Sequence, residues 1–175
     1  MNSDIFGNLM EWGDVLEKLE QLRNSKTLDE HQAGLVRILR YPHNWRLREA
    51  ALGVIRGVNQ PTEELLKEAL NIALNEGVYV EARTIAVDVL ADLMIKDRRI
   101  RSKNEITLRS SVLEKMESLM GDTQSPLLRE RIEHFFKKLA NRKTASAAQA
   151  SPTNSNEKGP WHPRPRSAPS IFRKG

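Results

Sequence analysis

Apolar residues recur along the chain at the three- and four-residue spacing of an amphipathic helix, in seven separate runs. The first, about Asp14 to Arg23, places Val15, Leu16, Leu19 and Leu22 on one face. Runs over 29–40, 46–58, 62–75, 79–94, 105–120 and 126–140 complete an all-α prediction. Local start signals agree with these boundaries. Thr27-Leu28-Asp29-Glu30 has the form of a capping box, and Asp14-Val15-Leu16-Glu17 imitates one earlier. Ser125-Pro126 puts an N-cap residue before a proline at the first helical position. Glu63 and Glu64 place negative charge in a first turn, where the helix dipole favours it.

The runs are copies of one unit. Leu47-Arg48-Glu49-Ala50-Ala51-Leu52-Gly53-Val54-Ile55 superimposes without gaps on the segment starting Ala82-Arg83-Thr84-Ile85-Ala86 and on Leu128-Arg129-Glu130-Arg131-Ile132, at offsets of 35 and 46 residues. An upstream helix is in register in each copy, Leu35 matching Leu70 and Met116, and Leu39 matching Leu74 and Met120. Five-residue joints, 40–44, 75–79 and 121–125, connect the two helices of each unit. Joints that short require antiparallel neighbours. The leading helix has no repeat partner and is expected to cap the first unit's apolar side.

Trp45-Arg46-Leu47-Arg48-Glu49-Ala50-Ala51-Leu52 resembles the second helix of a HEAT repeat, with an apolar residue, an arginine and a small pair; Ala82-Arg83 with Ile85-Ala86 repeats it, and Leu128-Arg129 does so more loosely. The resemblance covers about residues 28–140 and implies a short α-solenoid of antiparallel helix pairs. Where that family often carries an aspartate four residues before the arginine, this chain has Asn44, Tyr79 and Ser125. The third unit replaces the small pair by Arg131-Ile132, as a terminal cap with one solvated face would. In HEAT arrays the second helices line a concave face. On that basis the outward row here comprises Arg46, Glu49, Gly53 and Arg56, then Glu81, Thr84, Asp88 and Asp92, then Leu127, Glu130, His134 and Lys137. Its middle stretch is acidic, which disfavours a phosphate backbone and suits a basic protein segment. The equivalent arginines Arg48, Arg83 and Arg129 are expected to be structural, bonding carbonyls or polar side chains of the neighbouring turn.

Charge divides the chain into two expected parts, a helical repeat domain over 1–140 and a disordered basic tail over 141–175. The net charge of +5 belongs to the second part, where seven basic residues face Glu157 alone, while 1–140 holds 21 basic and 22 acidic residues. The tail is rich in Ser, Ala, Pro and Asn and cannot bury enough surface to fold by itself. Trp161, Arg164 and Arg166 in a proline-spaced stretch, and Ile171, Phe172 and Arg173 beyond it, stand out as anchors of docking motifs. An inert solubilising extension is the competing reading. The interval between the second and third units crowds Lys96, Arg98, Arg99, Arg101 and Lys103 into eight residues, with Asn104 positioned to cap the next helix. It reads either as a phosphate-gripping loop or as a solvated linker.

Catalytic signatures are missing from the sequence. There is no cysteine, so disulfides, thiolate chemistry and Cys-ligated zinc are excluded. His31, His43, His134 and His162 match no metal spacing, and no Gly-rich phosphate loop or Gly-x-Ser-x-Gly occurs. With no membrane-length apolar run and no basic leader, the expectation is a soluble cytoplasmic protein without a cofactor. The functional expectation is a non-catalytic adaptor or scaffold that binds another protein through the solenoid surface and a tail motif. The alternatives are a nucleic-acid-associated protein using the basic loop and tail, and a solenoid-type DNA glycosylase or lyase subunit.

Overall fold

A computed structural model describes residues 4–25, 27–96 and 103–149, and the described residues are all-helical, without a strand. The elements are α1 (Trp12–Ser25), a 3-10 turn (Leu28–His31), α2 (Gln32–Arg40), α3 (Trp45–Ile55), α4 (Glu63–Leu74), α5 (Val80–Lys96), α6 (Lys103–Asp122) and α7 (Pro126–Gln149). Helices α2 and α3, α4 and α5, and α6 and α7 pack as sequential pairs. Across pairs, α2 touches α4 and α4 touches α6, while α1 touches α3, α3 touches α5 and α5 touches α7.

Three helix starts are fixed by side-chain caps. Asn44 accepts from Leu47 N at 3.1 Å, Thr62 from Leu65 N at 3.3 Å and Ser125 from Leu128 N at 3.3 Å. Each satisfies an otherwise orphaned amide, worth about 1 kcal/mol. The capping box expected at Thr27 does not form: the Thr27 side chain makes no bond to the helix amides, and its hydroxyl lies 2.7 Å from that of Ser25. Asp29 accepts from the amides of Asn59 (3.0 Å) and Gln60 (2.8 Å), and the chain there makes a 3-10 turn before α2. Gln32, nearly fully buried, donates to Gln60 O at 2.9 Å and accepts from Thr62 N at 2.6 Å. Together these bonds pin the α3–α4 connection to the start of α2. Asp14 lies within the first turn of α1 and not ahead of it; α6 likewise opens at Lys103, which places Asn104 inside the helix.

The core runs unbroken from Phe6 to Leu139. Its middle is α5, where nine side chains are buried and only Glu81 is exposed. Ala82, Ala86 and Ala91 keep that helix thin enough for neighbours on several sides at once. The carbonyl of Met94, in its last turn, accepts from Arg109 of α6 (3.2 Å) and Arg142 of α7 (3.0 Å). Arg142 therefore belongs to the folded body. Helix α7 continues to Gln149, past residue 140, through an Ala-rich stretch of high helix propensity.

Residues 4–11 also pack. Phe6 and Leu9 are buried, Gly7 takes a left-handed φ of 60°, and Arg37 donates to Gly7 O at 2.7 Å. Phe6 lies so close over α2 that a Cβ on Gly34 would sit 2.6 Å from its ring. Gly34→Ala gains up to about 1 kcal/mol of helix propensity but forces an overlap that costs roughly 1–3 kcal/mol in a filled core. We expect Gly34→Ala to lower Tm in thermal denaturation, and Phe6→Leu in the same chain to recover part of the loss. A higher Tm for Gly34→Ala would show that Phe6 is not packed there.

Candidate functional site

The expected row of charged residues splits into pieces with different fates. Asp88 sits between two guanidinium groups, 3.7 Å from Arg56 and 3.6 Å from Arg131. Asp92 pairs with Lys138 at 2.5 Å, and the Thr84 hydroxyl donates to Glu81 O in its own helix. Each pair contributes only about 0.2–1 kcal/mol, but the electrostatic consequence is larger. Asp88 and Asp92 are thus met by cations from α3 and α7, which leaves the exposed Glu81 as the row's carboxylate on α5 without an ion pair among the described residues. The reason is geometric: helices flanking α5 on both sides bring their own Arg and Lys to its carboxylates. Glu130 and His134 are exposed on α7. Arg83 Nε donates to Ala73 O and Arg129 to Thr123 O, both at 3.0 Å, tying each second helix to the end of its partner. The Nη2 of Arg83 is buried without a hydrogen-bond partner. Arg48 is half-buried beside the cleft described next. Arg98, Arg99 and Arg101, and the tail residues Trp161, Arg164, Arg166, Ile171, Phe172 and Arg173, lie outside the described residues; Lys103 opens α6.

Two further residues of the row, Arg46 and Glu49, join a cluster built mainly from aromatic side chains. Trp45, the first residue of α3, is 51% exposed and meets Tyr79 edge-to-face at 5.4 Å and 83°. The Arg46 guanidinium lies 5.4 Å from the Trp45 ring centroid, and the Tyr79 hydroxyl donates to Glu49 at 3.4 Å. On the other side, His43 meets Tyr41 edge-to-face at 5.4 Å, and the Tyr41 hydroxyl contacts Met10 Sδ at 3.1 Å. Met10 is 72% exposed, and Trp12 follows at the start of α1 with half its surface open. Aromatic residues are scarce in this chain, and the Trp and Tyr residues among the described ones are Trp12, Tyr41, Trp45 and Tyr79.

Tyr79 occupies the N-cap position of α5, equivalent to the capping residues Asn44 and Ser125. A tyrosine there forgoes the amide bond that its counterparts make. What it makes instead is the contact with Trp45. Between the two rings and Arg48, Glu49, Leu52 and Ile72 there is only a shallow cleft of about 10 Å³, no larger than a water. The cluster therefore presents its side chains at the surface around a cleft of that size. Among the described residues no group of three or more His, Asp or Glu side chains is placed to hold a metal, and no helix is long and apolar enough to cross a membrane.

Helical periodicity alone does not find this edge, because Trp45 and Tyr79 lie outside the buried stripes of α3 and α5 and carry no charge to mark them. The available signal was negative. A large aromatic stood where the repeat alignment puts a cap. Comparison of the chain with protein-family models, with curated proteins and with solved structures produced no match in any of the three.

Burial raises the Tyr79 phenol above its ordinary value of 10.0, and the Glu49 carboxylate adds to the rise through its charge and the bond it accepts; Glu81 acts in the same sense and Arg48 against it. In a Tyr41→Phe background, alkaline spectrophotometric titration should follow Tyr79 alone. Glu49→Gln should move its midpoint down toward 10.0 without reaching it, since the burial remains. An unmoved midpoint would separate the phenol from Glu49.

Proposed function

We propose that the chain is a short HEAT-like α-solenoid acting as a non-catalytic protein-binding adaptor, with the Trp45–Tyr79 edge as its contact surface. The order of helix contacts supports the architecture: α2, α4 and α6 touch in sequence as one layer, α1, α3, α5 and α7 as the other, and each pair bridges the two. The extra residues in the second offset are taken up in longer helices, α5 and α6 against α3 and α4, without changing the order of contacts. Since short joints reverse the chain at each step, the second helices run parallel. Their first turns, and the exposed Leu127 at the start of α7, lie along one edge of the array.

The observation that carries the binding role is the exposed Trp45–Tyr79 pair, with Tyr79 replacing a cap. Exposed Trp and Tyr beside Arg are the residue types that dominate the energetics of protein interfaces. A local rule broken at a surface position is what a functional surface leaves behind. The pairing of Asp88 and Asp92 weighs in the same direction, since a partner's cation would have to displace one already there. The tail motif around Trp161, Arg164 and Arg166 supplies a second contact in this reading.

The experiment compares proteins captured from a nuclease-treated lysate by the intact chain and by Trp45→Ala with Tyr79→Asn. The variant should weaken capture of at least one partner by roughly tenfold or more. Its Tm should be unchanged or higher, because asparagine restores a cap worth about 1 kcal/mol against a similar loss of ring contact. Undiminished capture of every partner, or capture that disappears with nuclease alone, would contradict the reading.

A further inference from the structure

The outer side of the α6–α7 pair carries an open groove of about 420 Å³ lined by Met120, Phe136, Glu117, Glu133 and Lys137. That volume is on the scale of pockets that take drug-sized ligands (~300–1,000 Å³), so two neighbouring apolar side chains fit it. Its floor is apolar, since Met120 and Phe136 are half-buried hydrophobics at the margin of the core. Glu117 and Glu133 are exposed, and neither has an ion-pair partner among the described residues. In this they differ from Asp88 and Asp92, whose charges are already met. Lys137 alone opposes them. No described helix covers this side of the pair.

We propose that the groove is occupied by residues 171–174 of this same chain, Ile171-Phe172-Arg173-Lys174, with the two apolar side chains on Met120 and Phe136 and the two cations beside Glu117 and Glu133. The segment matches the groove in kind, two large hydrophobes followed immediately by two positive charges. It also matches in reach. Helix α7 ends at Gln149, about 20 Å along its axis from Phe136 at 1.5 Å per residue. The intervening residues 150–170, polar and free of long apolar runs, have an r.m.s. span of about 25 Å if they behave as a coil. A linker whose natural span equals the required distance gives a near-maximal effective concentration, in the millimolar range. A contact of only millimolar intrinsic strength is then substantially formed. The docked segment shields the apolar side of the last helix pair, as terminal units of helical arrays require. This proposal goes beyond the adaptor reading and does not depend on what the Trp45–Tyr79 edge binds.

The chain contains no cysteine, so Gly175→Cys gives a unique attachment point for a nitroxide label in the full-length protein. Amide signals of residues 117–120 and 133–137 should broaden selectively. Phe172→Ala should lower the docked-to-free ratio by roughly tenfold and remove the broadening. Glu117→Lys with Glu133→Lys, both at exposed positions, should weaken it while leaving Tm in place. Three outcomes would overturn the proposal: broadening that Phe172→Ala leaves intact, broadening centred on the Trp45–Tyr79 edge, and broadening seen only between molecules when labelled and isotope-enriched chains are mixed.

Discussion

The enclosure of α5 governs the rest of this structure. A helix with neighbours on several sides must be apolar nearly all round, with small residues wherever a backbone comes close, and Val80–Lys96 meets both demands. Its polar exceptions then need partners from outside the helix. Asp88 and Asp92 receive them from Arg56, Arg131 and Lys138, and the Met94 carbonyl receives Arg109 and Arg142. The last of these contacts lies past residue 140, so satisfying the end of α5 accompanies the continuation of α7 into a region that composition alone assigns to the tail.

That enclosure also decides which surfaces are open for binding. Carboxylates bound to cations of the same molecule offer little to a partner, because any new contact must first displace an existing one. The unsatisfied features are elsewhere. The Trp45–Tyr79 edge exposes aromatic surface at a position where a capping residue would have been the stabilising choice. The α6–α7 groove combines an apolar floor with unpaired acids.

Much of the helical layout was legible because the repeat constrains it. Matching apolar positions such as Leu35, Leu70 and Met116 place the helices, and Ser125 marks a start that the structure caps. Three things were not legible, each for a physical reason. Phe6 and Leu9 precede any periodic run, and their burial depends on Gly34 leaving room on α2. Thr27 to Glu30 has the spacing of a capping box, but the chain there makes a 3-10 turn while the neighbouring Asp29 carboxylate bonds the amides of Asn59 and Gln60, a tertiary contact that local sequence does not encode. The acidic row of α5 was visible as sequence, whereas its neutralisation arises from residues on two other helices.

If α5 is the element on which the others rest, its amides open only when the whole molecule unfolds. Native-state hydrogen exchange measures this directly. Amides from Val87 to Leu93 should exchange with the free energy of global unfolding, and those of α1 and of α7 beyond Asn141 should exchange through smaller openings. Equal or faster exchange in α5 than in α1 would contradict the account.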